Sequence, residues 1–217
     1  MMLPWFKRLL PAILVIGCVS PVLAHPHVWI TSRAEIVFTP EGKVGAVRHA
    51  WTFDPAISAF FTQGLDKNND GKLTPDELAD LAKENVEGLT QFEYYTVLKA
   101  NGVKQALDAP RDPTMSFENG QATLSFLLPV RGPAAGSKRL ALEVNDPSFF
   151  VSFTMAEGED AVKLTSAPQG CSRNVSRPKP VTTAQAPEKL SESFFQALTA
   201  ASNSGSGSAN RVIVACP

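Results

Sequence analysis

One twelve-residue stretch constrains this chain more than any other: Asp66-Lys67-Asn68-Asn69-Asp70-Gly71-Lys72-Leu73-Thr74-Pro75-Asp76-Glu77. It fits the EF-hand calcium loop, which demands a helix on either side. Asp66, Asn68 and Asp70 take the first, third and fifth places, where short oxygen side chains reach inward. Gly71 permits the sharp turn, and Lys72 contributes only its backbone carbonyl. Thr74 ligates through its hydroxyl or a water, and Glu77 supplies the closing bidentate carboxylate. Calcium is a hard cation that takes six to eight oxygens, and the loop offers about that many. A plain polar turn ahead of a helix would share the Asn, Asp and Gly. The apolar Leu73 and the helical flanks favour the calcium loop.

The same residues predict a helix start. Thr74 is a suitable N-cap, Pro75 sits in the first helical position, and Glu77 completes a capping box. Asp76 and Asp80 suit the positive end of that helix. EF-hands usually pair, and the sequence holds no second loop. A lone hand outside the cytoplasm is expected to bind at about 10⁻⁴–10⁻³ M and to be structural rather than sensory.

A chain of 217 residues can bury a sizeable core. Residues 1–24 read as a secretory signal, with Lys7 and Arg8, an apolar run, and a small-residue cleavage site at Val22-Leu23-Ala24. Its removal takes two of the 20 basic residues and none of the 21 acidic ones, leaving 18 against 21 and a net charge of −3. That balance argues against nucleic acid as a partner. The expected location is periplasmic or secreted. Val15-Ile16-Gly17-Cys18 is a competing lipobox, which would leave an acylated lipoprotein anchored at Cys18. The Ala24 site gives the better-proportioned apolar region and is preferred. Two cysteines then remain, Cys171 and Cys216, and an even pair in an oxidising compartment reads as a disulfide.

Residues 25–217 read as a single β-rich domain. Apolar residues alternate over residues 28–38 and again over 45–53, with a hairpin turn between them. With Glu41 and Gly42 as the loop, Ile36 faces Val47, Ala34 faces His49 and Ile30 faces Phe53, so both strands bury one face. A short helix over residues 56–63 enters the loop, and a second runs from Pro75 to about Thr90, making an insertion at about residues 55–90. Strands are expected over 95–100, 114–118, 122–130, 139–144, 149–155 and 162–166. Asn101-Gly102 and Asn119-Gly120 supply hairpin turns. A proline-rich connector (178–187), a short amphipathic helix carrying Leu190, Phe194 and Leu198, and a Gly/Ser stretch (202–208) precede a last strand over 211–215. The expected fold is mainly β, antiparallel and sandwich-like, with an inserted helix–EF-hand-like loop–helix and a short C-terminal helix.

Three histidines are present, and two of them open the processed chain as His25-Pro26-His27. Cleavage after Ala24 would free the His25 amine, which chelates a metal together with its own imidazole. His27 adds a second imidazole from the same side of an extended strand. The usual three-residue amino-terminal copper site is ruled out, because it needs a backbone N–H that Pro26 lacks. The plain alternative is that these residues merely begin a strand. His49 falls between Val47 and Trp51 on the apolar face and is expected to be a hydrogen-bonded core residue.

Several of these stretches together resemble a bacterial family called domain of unknown function 1007. They are His25-Pro26-His27-Val28-Trp29-Ile30, Trp51-Thr52-Phe53-Asp54, the calcium-like loop, Asp146-Pro147-Ser148-Phe149-Phe150, Gly170-Cys171 and the late Cys216-Pro217. The resemblance covers nearly all of residues 25–217, with the motifs in the family's order. It carries the label of a periplasmic component of an uncharacterised ABC-type transport system. It implies association with an inner-membrane nickel/cobalt-type or ABC-type permease and no established reaction.

The leading expectation is a non-enzymatic periplasmic accessory protein linked to divalent metal transport (Ni²⁺, Co²⁺, Zn²⁺ or Cu²⁺), with Ca²⁺ as a structural ion. The second is a calcium-stabilised binding or scaffolding module in which His25 and His27 are incidental. An N-terminal-histidine copper enzyme ranks third, because His49 is expected to be buried.

Overall fold

A computed structural model describes residues 27–132, 138–148, 150–177 and 210–217. The expected signal segment, Cys18, His25, the expected 178–187 connector, the expected helix around Phe194 and the 202–208 stretch lie outside the described residues. The elements run in the order Val28–Phe38 (β1), Val44–Phe53 (β2), Pro55–Thr62 (α1), Ala79–Gly88 (α2), Thr96–Ala100 (β3), Val103–Lys104 (β4), Arg111–Glu118 (β5) and Gln121–Pro129 (β6). Arg139–Val144 (β7), Val151–Met155 (β8), Val162–Thr165 (β9), Ser172–Ser176 (β10) and Asn210–Ala215 (β11) follow.

The strands form two sheets. One has the order β5-β6-β2-β1-β8, with β9 also on β1; the other has the order β10-β11-β7-β3-β4. Their apolar faces share one core, which includes Ile36, Trp51, Phe126, Leu98, Leu142 and Val214. Mainly β with two sheets is therefore the architecture, and an antiparallel sandwich fits it, with one correction. β8 and β9 run parallel to β1, covering its first and second halves in turn. Alternation of apolar residues carries no strand direction. The chain reaches β8 from β7 of the other sheet, so a crossover rather than a hairpin sets its direction.

The first hairpin has the expected register: Ile30, Ala34 and Ile36 pair with Phe53, His49 and Val47. Its loop differs from the expected two-residue turn. The Thr39 N–H donates to the Lys43 carbonyl (2.7 Å), so three residues, Pro40 to Gly42, form the turn. Gly42 takes φ +73°, and a bulge between Val37 and Phe38 absorbs the extra residue. Both Asn-Gly pairs lie in the left-handed region, at φ 47° and 85° for Asn101 and Gly102, and 52° and 77° for Asn119 and Gly120.

The inserted helices sit at the end of the first sheet. Leu78, Ala82 and Val86 are buried with Met115, Ala122 and Leu124 of the core. The second helix begins at Ala79 rather than Pro75, and Pro75 to Leu78 form a turn ahead of it. Pro75 and Leu78 still sit within one hydrogen-bonded turn, because the Leu78 N–H reaches the Thr74 carbonyl (3.2 Å). The edge strand β10 was not expected from the sequence. The expected 211–215 strand is β11, which lies between β10 and β7.

Candidate functional site

The Asp66–Glu77 loop hangs between two anchored ends. Upstream, Asp54 caps α1: one carboxylate oxygen accepts from the Ala56 and Ile57 N–H groups (2.9 and 3.0 Å). Its other oxygen accepts from the Trp29 N–H (3.2 Å), which ties the start of the insertion to the start of β1. Downstream, Glu77 and Thr74 close the expected capping box. The Glu77 carboxylate accepts from the Thr74 N–H (2.9 Å), while the Thr74 hydroxyl accepts weakly from the Glu77 N–H (3.4 Å).

Within the loop, the side-chain oxygens turn inward onto backbone. Asp66 accepts from the N–H groups of Asp70 (3.2 Å) and Gly71 (2.9 Å). Asn68 accepts from Asp70 N–H (3.0 Å), and Asp70 accepts from Lys72 N–H (2.8 Å). Glu77 also spans the loop to the Lys67 N–H (3.0 Å). The Thr74 backbone N–H, then its hydroxyl, hold the Glu77 carboxyl below the usual carboxylate range. Gly71 stands at φ +77°, as the sharp turn requires. Among the described residues no three His, Cys, Asp or Glu side chains gather as a metal-ligand group. The loop curls onto its own backbone, and Asp66, Asp70 and Glu77 are not drawn together.

His27 lies exposed just before β1, with its N–H on the Phe150 carbonyl (2.9 Å) and its ring 4.9 Å from the Phe150 ring. Phe150 follows a turn that Asp146 organises. The Asp146 carboxylate is buried and accepts from the N–H groups of Ser148 (2.8 Å) and Val151 (2.9 Å). Two of the three Asp-Pro steps, at Asp54 and Asp146, therefore cap the backbone around the start of β1. Nothing in the sequence signals that the two converge on one strand end.

His49 is fully buried, as expected, 5.2 Å from the Phe126 ring and 5.4 Å from that of Trp51. Burial pushes its imidazole down to about 3. Its Nε2 lies 3.2 Å from the Thr96 hydroxyl, which donates to the Tyr94 carbonyl (2.7 Å). Tyr94 is the middle of three consecutive residues at positive φ, with Glu93 at 50°, Tyr94 at 56° and Tyr95 at 48°. Left-handed backbone costs a non-glycine residue about 1–2 kcal/mol. His49 and Thr96 thus pin a strained link between the inserted helices and β3.

Cys171 and Cys216 form a disulfide, with Cα atoms 4.1 Å apart. No helix of the described residues is long and apolar enough to cross a membrane.

A family model described as "Protein of unknown function (DUF1007)" matches residues 10–216. An uncharacterised 15.5 kDa protein in the trpE 3' region of Spirochaeta aurantia is 27% identical over 106 residues, covering 48% of this chain and 76% of its own length. No solved structure matches the chain.

Proposed function

The chain belongs to the DUF1007 family of proteins of unknown function, and from that premise we propose that it is a periplasmic, non-enzymatic accessory protein that handles a divalent transition metal. A structural calcium ion at the Asp66–Glu77 loop completes the proposal. The observation that carries it is the position of His27. It is exposed just ahead of β1, held by its backbone to Phe150, beside a strand end braced by Asp54 and Asp146. A ligand there is presented to solvent on a fixed support. The partner that suits such a role is an inner-membrane permease of the nickel/cobalt or ABC type. The disulfide accords with an oxidising compartment.

In this reading His25 contributes its amine and imidazole, and His27 a second imidazole, to Ni²⁺, Co²⁺, Zn²⁺ or Cu²⁺. The amine and both imidazoles must be unprotonated to ligate, so affinity rises with pH. Isothermal titration with Ni²⁺ or Cu²⁺ tests this on protein processed to begin at His25, beside the same protein extended by one residue. The extension is expected to weaken binding sharply, His27→Ala less, and buried His49→Ala hardly at all. Equal affinity with and without the extension would show that the amine is not a ligand.

Calcium suits the loop because each ligand that its spacing assigns is an oxygen. Asp66, Asn68, Asp70, Thr74 and Glu77, with the Lys72 carbonyl, would hold it. The bound ion would supply the positive charge that lets Asp66, Asp70 and Glu77 converge on one site. At about 100 times its dissociation constant, calcium is expected to stabilise the fold by about 2.7 kcal/mol. Glu77→Gln removes the bidentate ligand at constant shape and should abolish most of that gain in a thermal melt. An unchanged calcium response in Glu77→Gln would sink the calcium assignment.

One observation favours a second reading, a calcium-stabilised binding or scaffolding module without a transition metal. Trp29 and Phe150 flank the starts of β1 and β8 and remain about half exposed, at 52% and 47%. Exposed aromatic surface of this kind suits protein contact. The titration above separates the two readings.

A further inference from the structure

We propose that the centre of the sandwich contains a hydration site, built by Ser32, His49 and Trp51, that binds one water molecule. The three residues are neighbours on the inner face of the first sheet. Ser32 pairs directly with Trp51 across β1 and β2, and His49 lies two residues before Trp51 on the same face, opposite Ala34. Ser32 and His49 are fully buried and Trp51 is 1% exposed. In each, one polar atom is buried without a hydrogen-bond partner: Ser32 Oγ, His49 Nδ1 and Trp51 Nε1. Buried polar groups are almost always paired, and leaving one unpaired costs about 1–3 kcal/mol. Three of them on adjacent positions point to a shared partner.

The chemistry of that partner follows from the hydrogen-bond donors. The Thr96 hydroxyl has one proton and donates it to the Tyr94 carbonyl. It must therefore accept from His49, so Nε2 carries the imidazole proton. A neutral imidazole protonated at Nε2 leaves Nδ1 as a bare acceptor. Trp51 Nε1 can only donate, and Ser32 Oγ does both. The partner must donate to His49, accept from Trp51 and exchange either bond with Ser32. Water does all three with its two donors and two acceptors, and typical buried waters make about three such bonds. A carboxylate or other anion would have no donor for Nδ1, and a cation would have no acceptor for the Trp51 N–H.

The site also explains why this core tolerates a histidine. Water at Nδ1 and Thr96 at Nε2 satisfy both ring nitrogens, while Phe126 and Trp51 pack against the ring. A chain of bonds then runs from the water through His49 and Thr96 to the Tyr94 carbonyl in the left-handed link. The water is a structural part of the support that joins the inserted helices to the sandwich.

Water-selective NOE and ROE spectroscopy on ¹⁵N-labelled protein tests the proposal, with the Trp51 indole signal assigned by its loss in Trp51→Phe. A cross-peak from water to the Trp51 Nε1–H is expected, with the NOE sign of a long-lived bound molecule. Ser32→Ala removes one of the water's three partners and should shorten its residence, weakening that cross-peak. Long-range ¹H–¹⁵N correlation should show His49 protonated at Nε2. Absence of the cross-peak in the wild type, an undiminished cross-peak in Ser32→Ala, or protonation at Nδ1 would each overturn the site. The wild-type spectrum decides the matter even if a variant fails to fold.

Discussion

Acidification from pH 7 to pH 5 is expected to cost the folded protein about 2 kcal/mol through His49 alone. The ring is fully buried and stays neutral down to about 3, whereas in the unfolded chain it protonates near 6.5. The unfolded state therefore binds the extra proton throughout the interval between those values. A depressed histidine contributes stability that is complete above its unfolded value and is lost as pH falls toward the folded one. The loss approaches roughly 5 kcal/mol near pH 3, at about 1.4 kcal/mol per pH unit. The carboxylates of Glu77 and Glu41 are also held low and also favour the fold at higher pH. Their window lies below the ordinary carboxylate value, so the interval from pH 7 to pH 5 isolates histidine.

Urea denaturation at those two pH values, on wild type and His49→Gln, measures the effect. Wild type should lose about 2 kcal/mol more than the variant, because glutamine does not titrate. His25 and His27 remain in both proteins and cancel from the comparison. Equal losses would mean that the imidazole is not held neutral in the fold. The same result would remove the reason for assigning Nδ1 as a bare acceptor.

The sequence made much of the first sheet legible because burial on one face and turn chemistry agree there. Ile30, Ile36, Val47 and Phe53 exclude every register slipped by one residue, and the expected register is present. The two Asn-Gly turns were readable for the same reason, since few other residues take positive φ at both central places. β10 was invisible because Ser172-Arg173-Asn174-Val175-Ser176 is an exposed edge with almost no apolar content. Nor could Glu93, Tyr94 and Tyr95 be foreseen as left-handed, since local preference opposes it and only Thr96 and the surrounding core impose it.

The candidate site divides in the same way. Spacing marked the candidate donors of the calcium-like loop, and Thr74 and Glu77 make the reciprocal bonds of a capping box, although the helix itself begins at Ala79. What spacing could not give was the competition for those oxygens. Backbone N–H groups of Lys67, Asp70, Gly71, Lys72 and Thr74 engage the carboxylates that a metal would need. The brace around His27 was equally hidden, because Asp54 and Asp146 stand 92 residues apart and meet only through the pairing of β1 with β2 and β8.

Loss of the Cys171–Cys216 disulfide is expected to destabilise the protein by up to about 4 kcal/mol, and globally rather than locally. The bridge closes a loop of about 46 residues, for which the chain-entropy model gives that magnitude. Position decides how the loss is distributed. The closed loop contains β10 and β11, and β11 lies inside the second sheet, paired with β10 on one side and β7 on the other. Cys216 further donates its N–H to the Lys138 carbonyl beside β7 (2.8 Å). Val212 and Val214 of β11 are fully buried, so the strand cannot leave without opening the core. Without the bridge, the unfolded chain gains entropy and expands, while the native sheet retains its pairing; the midpoint should fall and the m-value rise. Guanidinium denaturation of the oxidised protein and of the Cys171→Ala/Cys216→Ala double variant measures this, avoiding reductant altogether. Thiol counting on oxidised, unfolded protein beginning at His25 should find no free thiol. Two reactive thiols in protein made in an oxidising compartment, or a double variant with the wild-type midpoint, would show that the bridge does not hold the second sheet.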